Sequence, residues 1–167
     1  QRASRDTTVI VFSDLGMGHN YTGEHILDEI LRRLEQSDAT LAEKIYCTIT
    51  NLADKVCSQL VRVDSNYQQK RIRRYFQLEH NEMSGAIRIN LVGREPRGRI
   101  CRGREMDTLC EWLREELLDI VDPETGEPIA ANVLRTDSVF TGDSLDFLPD
   151  LFVIWHRRTP IVGADSP

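Results

Sequence analysis

An α/β fold is what this sequence predicts, on three observations. An apolar run, Val9 to Phe12, leads into a stretch of helical periodicity at residues 23–35. Alternating Ile87, Ile89 and Leu91 are followed by Leu109, Leu113, Leu117 and Val121, one helical turn apart. The apolar run "LFVIW" comes last. Strand and helix patterns therefore alternate along the chain, the pattern of layered α/β domains. At 167 residues the length suits one domain with its own core.

The elements follow in order. Val9 to Phe12 is short, continuous and rich in β-branched residues, as expected of a strand buried on both faces of a parallel sheet. Ile26, Leu27, Ile30, Leu31 and Leu34 form one helical stripe, with Asp28 and Glu29 four residues before Arg32 and Arg33, the spacing of helix ion pairs. Residues 41–62 read as a second helix, or as a strand and a helix. "QQKRIRRYFQLEH" carries a cation run that reads as a solvated helix face or loop rather than a basic binding patch.

The later elements are clearer. Ile87 to Leu91 alternates with Arg88 and Asn90 and leaves through a turn at Gly93 to Pro96, the signature of a strand end. Thr108 and Glu111 have capping-box spacing ahead of the next helix. "DPETGEP" makes a turn. Asn132 to Phe140 is a strand or extended segment, and a buried strand starts after Pro149.

Composition narrows the function. The formal net charge of -6 provides no basic field for nucleic acid. No apolar run approaches the roughly 20 residues that span a bilayer, and the N-terminus has no signal-peptide core. Cys47, Cys57, Cys101 and Cys110 lack the C-x-x-C spacing of zinc knuckles and redox motifs. They read as reduced, partly buried thiols, which fits a cytoplasmic protein. The chain starts at Gln1 without an initiator methionine and stops at "TPIVGADSP", so it reads as a piece of a longer protein.

The chemistry centres on "TTVIVFSDLGMGHNYTGEH", a strand that ends on Asp14 and passes two glycines and a histidine before a helix opens. Ligands gather at such strand ends. A dinucleotide fold needs a third glycine three places after Gly18, where Tyr21 stands. A nucleotide-sugar transferase could bind a diphosphate on the free N–H groups of "GMGHN". A metal site would take an oxygen from Asp14 and a nitrogen from a histidine. The plain alternative is a turn cap at Asp14 and a surface histidine at His19.

"VIVFSDLGMG" resembles the "SDHGMG" segment of type I phosphodiesterases and nucleotide pyrophosphatases of the alkaline phosphatase superfamily. "GAIRINLVGREPRGRI", "DPETGEP" and "GDSLDFLPDLFVIW" are similar in kind and order to the later part of phosphodiesterase-like members, so the likeness runs from about Thr7 to Pro160. It implies an α/β sandwich with a mostly parallel sheet flanked by helices, present here as an incomplete domain. It also implies hydrolysis of a phosphate ester or diester through two divalent metal ions, commonly zinc, and a threonine or serine nucleophile, with a small phosphate- or sulfate-ester molecule as the partner.

Carried across by residue, the resemblance makes Asp14 a metal ligand, while the adjacent ligand histidine falls on Leu15. His19 stands in the same turn and is the second candidate ligand, with His25 behind it. The family's nucleophile and its downstream glycine-rich histidine motif have no counterpart, so the isolated chain is expected to be inactive. Thr22 and Thr141 are hydroxyls that no spacing nominates. Arg88, Asn90, Arg94 and Glu95 suggest a phosphate clamp, or else an edge strand's polar face (Arg88, Asn90) and an ion pair within the turn (Arg94, Glu95). His156, beside Arg157 and Arg158, reads as solvent-exposed. Leu15 also leaves open a degenerate binding or assembly protein of the same fold.

Overall fold

The computed structural model describes Thr8, Ile10 and residues 20–38, 73–79 and 83–165. Of the expected strand at Val9 to Phe12 only Ile10 is described, and it is exposed rather than buried; the segment 41–62, Asp14, Leu15, His19, Cys47 and Cys57 lie outside the described residues.

The first helix, α1 (Glu24–Asp38), forms where the helical stripe predicts and buries Leu27, Ile30, Leu31 and Leu34. Both expected ion pairs are present, Arg32 to Asp28 at 2.8 Å and Arg33 to Glu29 at 3.1 Å. Next come β1 (Tyr75–Leu78) and β2 (Ser84–Ile89), then α2 (Arg104–Asp119) and β3 (Ala130–Arg135). A helical turn, α3 (Thr136–Val139), and a short 3-10 turn (Leu145–Phe147) lead into β4 (Leu151–Trp155).

The mixed α/β class holds, but the sheet differs from the expectation. The strands lie in the order β1-β2-β4-β3, and every neighbouring pair is antiparallel. Hairpin connections explain this: β1 returns directly into β2, and β3 returns into β4 through α3 and the 3-10 turn, so neither pair needs the crossover that parallel strands require. Among the described residues the sheet is therefore not mostly parallel.

Directly opposed residues share a face, which puts Tyr75, Ile87, Ile89, Val133, Leu151 and Val153 together, all buried. Both long helices pack on this face. A Cβ on Gly85 would stand 2.7 Å from Leu27 of α1, and the Tyr75 and Trp112 rings meet at 6.3 Å. Leu109, Leu113 and Leu117 of α2 complete the core. The opposite face, with Phe76, Phe152 and Leu134, is half-buried. The described part is thus two layers, helices on sheet. No described helix is long and apolar enough to cross a membrane.

Three local expectations are corrected. The cation run does not continue as a loop or helix face: Tyr75 to Leu78 is an edge strand, held because Arg73 and Arg74 meet carboxylates of α1. Arg73 pairs with Asp28 at 2.7 Å and Glu35 at 3.1 Å, and Arg74 with Asp38 at 2.5 Å. The capping box does not form, because α2 begins five residues earlier, after Gly103 at φ 92°. Thr108 is then inside the helix, and the Glu105 carboxylate instead accepts the Cys101 N–H at 2.8 Å. Asn132 to Phe140 is extended only to Arg135 before α3 intervenes.

Candidate functional site

The segment after β2 folds back on itself. Asn90, buried at the strand's end, receives the Arg99 and Ile100 N–H groups on its carbonyl at 2.7 and 3.0 Å. Its side-chain amide donates to the Arg73 carbonyl at 2.7 Å. The return runs so close that a Cβ on Gly98 would stand 2.2 Å from the Leu91 carbonyl oxygen, so glycine is required there.

This turn presents Arg94 to Asp150 at the foot of β4. Arg94 Nη1 donates to Oδ1 at 2.8 Å and Nη2 to Oδ2 at 2.6 Å, while Nη2 also reaches the Ile89 carbonyl at 2.7 Å. The Asp150 carboxylate accepts the Ile89 N–H at 2.7 Å as well. Burial disfavours the Arg94 charge, but the hydrogen bonds and charge of Asp150 outweigh it and raise its pKa. Glu95 accepts Arg88 Nε at 2.6 Å and Arg94 Nε at 3.1 Å. Arg88 also donates to the carbonyls of Leu148 and Asp146 at 2.9 and 2.8 Å.

The two arginines are thus spent on protein acceptors, which argues against a phosphate clamp. The expected Arg94–Glu95 pair exists, but its stronger partner is Asp150. Arg88 does not sit on an edge strand, since β2 is central. Asn90 is 1% exposed, so it lines no solvated face.

Two hollows lined by described residues adjoin the fold. The smaller, about 230 Å³, is lined by Asp122, Glu127, Ile129, His156 and Arg158. Its charges are already engaged: Arg158 pairs with Glu127. The Thr125 and Glu124 N–H groups hold the Asp122 carboxyl below the usual range. His156 is half-buried there, less exposed than expected, with its N–H on the Ile129 carbonyl.

The larger, about 700 Å³, lies beside the first turns of α2. Arg74, Arg99 and Arg104 line it, with Thr108 and Trp112 along the helix and Asp38 opposite.

The remaining candidates are scattered. His25 and Thr141 are exposed. Thr22 is half-buried, its N–H on the Asn20 side chain at 3.0 Å. Neither Asp14 nor His19 lies among the described residues, and among those no group of three His, Cys, Asp or Glu side chains is placed to hold a metal ion. The larger hollow was not among the expectations, although Arg104, Thr108 and Trp112 already stand at i, i+4 and i+8 in the sequence. Asp150 carries no such signal.

No family model, curated protein or solved structure matches the chain.

Proposed function

We propose that this chain serves a metal-dependent hydrolase of phosphate esters or diesters, in which Asp14 is a metal ligand and His19 a second. One observation carries the reading. The segments "GREPRG" and "LPD", which bear the later part of the resemblance, are tied by the buried Arg94–Asp150 pair, and this supports treating them as one structural unit rather than as separate short strings. The substrate class is a small phosphate or sulfate ester. Unpaired thiols at Cys101 and Cys110 support a reducing, cytoplasmic setting.

The fit of a two-zinc centre to the described residues is poor, since none of them form a ligand group. No chemical step is derived through such a centre.

Calorimetric titration with zinc chloride tests the reading. The wild-type chain should bind zinc, and Asp14→Asn should weaken binding by about tenfold or more. Equal binding by the two would remove Asp14 as a ligand and the reading with it. The chain alone should leave bis-(p-nitrophenyl) phosphate intact, because no nucleophile is matched; zinc-dependent turnover would contradict that expectation.

Leu15, at the position of a ligand histidine, favours a second reading, a binding or assembly protein that has lost catalysis. Zinc binding by Leu15→His but not by the wild type would support it.

A further inference from the structure

The connection between β3 and β4 holds an aromatic ring out in solvent. Phe147 is 83% exposed, and Val139, Phe140 and Leu148 of the same connection are exposed as well. The turn that carries the ring is nevertheless fixed. The Arg88 guanidinium donates to the Asp146 carbonyl at 2.8 Å and to the Leu148 carbonyl at 2.9 Å, one on each side of Phe147. Glu95 holds Arg88 at 2.6 Å, and Arg102 holds the Asp146 side chain at 2.5 Å. A ring on a turn fixed in this way loses little conformational freedom when a partner covers it, which is what makes rigid aromatics effective anchors.

The smaller hollow lies at the other end of the same two strands. Ala130 opposes Trp155 there, and the His156 N–H reaches the Ile129 carbonyl at 2.9 Å, whereas at the Phe147 end Arg135 opposes Leu151. Pro128, Ile129 and Ile161 give the hollow apolar walls, and the carboxylates and guanidinium in its lining already have partners. A dry apolar cavity of about 150 Å³ holds benzene, so a hollow of about 230 Å³ has room for a phenyl ring. The two ends also differ in free charge. Asp143, in the Phe147 connection, and Arg157, next to His156, are both exposed, and neither makes an ion pair with a described residue.

We propose that two copies of this chain associate about a two-fold axis beside β3, with Phe147 of each copy seated in the hollow at Ile129 and Ile161 of the other. Among the described residues β3 is an edge strand. Setting two such edges side by side and antiparallel brings the end of each strand beside the start of the other. Ring then meets hollow twice and Asp143 meets Arg157 twice, the self-complementary contact that a two-fold dimer requires. Asn132 Oδ1 already accepts the Val133 N–H at 2.8 Å, so the copies meet through side chains rather than through a continued sheet. Association requires neither Asp14 nor a metal ion.

Sedimentation equilibrium in the presence of EDTA tests the proposal and keeps its failure apart from that of the zinc site. Between about 5 and about 500 µM the mass should rise from one chain towards two and go no further. Phe147→Ser should weaken association by about tenfold or more, the loss expected when two buried rings are removed from the dimer. The ring is exposed in the single chain, so this variant should keep the wild-type circular dichroism. Thr159→Trp, at an exposed position in the lining, should fill the hollow and weaken association comparably. Asp143→Arg should weaken it by about threefold or more, and adding Arg157→Asp to that variant should restore it, because the two charges are then exchanged. A chain that stays single at about 500 µM, a mass that grows past two chains, unchanged association in Phe147→Ser, or a double variant no tighter than Asp143→Arg would each overturn the proposal.

Discussion

Arg94 and Asp150, 56 residues apart in the chain, close on each other through two parallel hydrogen bonds of 2.8 and 2.6 Å, each side chain only 7% exposed. The pair fastens the turn after β2 to the foot of β4, and the Ile89 N–H and carbonyl share the same two groups. Pairs of this kind do little for stability compared with well-packed apolar groups. Losing one partner, however, strands a buried charge.

Arg94→Met should therefore destabilise the protein by about 3–5 kcal/mol in urea denaturation at pH 7. Arg94→Lys should cost less, since it keeps the charge but loses the fork. A loss under about 1 kcal/mol for Arg94→Met would mean that Asp150 is hydrated and the pair is not what holds the turn.

The same turn separates two glycines. At Gly98 a Cβ would meet the Leu91 carbonyl oxygen at 2.2 Å and the Val92 Cα at 2.4 Å, whereas at Gly93 the space is open and only the φ of 84° opposes a side chain. Gly93→Ala should cost about 1–2 kcal/mol through backbone strain. Gly98→Ala should cost more, because backbone must move. The thermal midpoints of the two variants settle the order, and the reverse ranking would refute the close approach.

Acid should loosen the contact between α1 and β1. Burial pushes the Asp28 carboxyl up, but the Arg73 charge beside it and hydrogen bonds from Arg32 and Arg73 overcome this and hold it below the usual carboxylate range. A carboxylate with a depressed folded-state pKa contributes stability above its unfolded value, and that contribution fades as pH falls through the folded value. Urea midpoints should thus drop below about pH 4. In Asp28→Asn that drop should be shallower, and an unchanged pH profile would exclude the pair as its source.

The thiols should divide sharply. Cys101 is exposed, while Cys110 is buried in α2 and burial pushes its thiol up to about 12. Iodoacetamide at pH 8 should label Cys101 in the native protein and Cys110 only after denaturant is added, as read by peptide mass mapping. Prompt labelling of Cys110 in the native state would show that α2 opens readily.

What the sequence determined by itself is local. The stripe of Leu27, Ile30, Leu31 and Leu34 places α1, alternation at Ile87 and Ile89 places β2, and the "DPETGEP" turn forms around Asp122 and Gly126, at φ 69°. Each depends on residues within a turn or two of one another, so period and turn chemistry are enough.

Only the tertiary structure decided the rest. Strand direction depends on which strands become neighbours, and an apolar run such as Leu151 to Trp155 reads alike in a parallel or an antiparallel sheet. The start of α2 was set by Gly103 and the chain's return past Leu91, which overrode the capping pattern at Thr108. Arg73 and Arg88 read as cations on solvated faces or in an anion clamp, and Arg94 as part of such a clamp or as the partner of Glu95, the pair that does form. Each found carboxylates far along the chain or across the turn, because a half-buried guanidinium must pair within the protein. Local spacing cannot announce a partner 56 residues away.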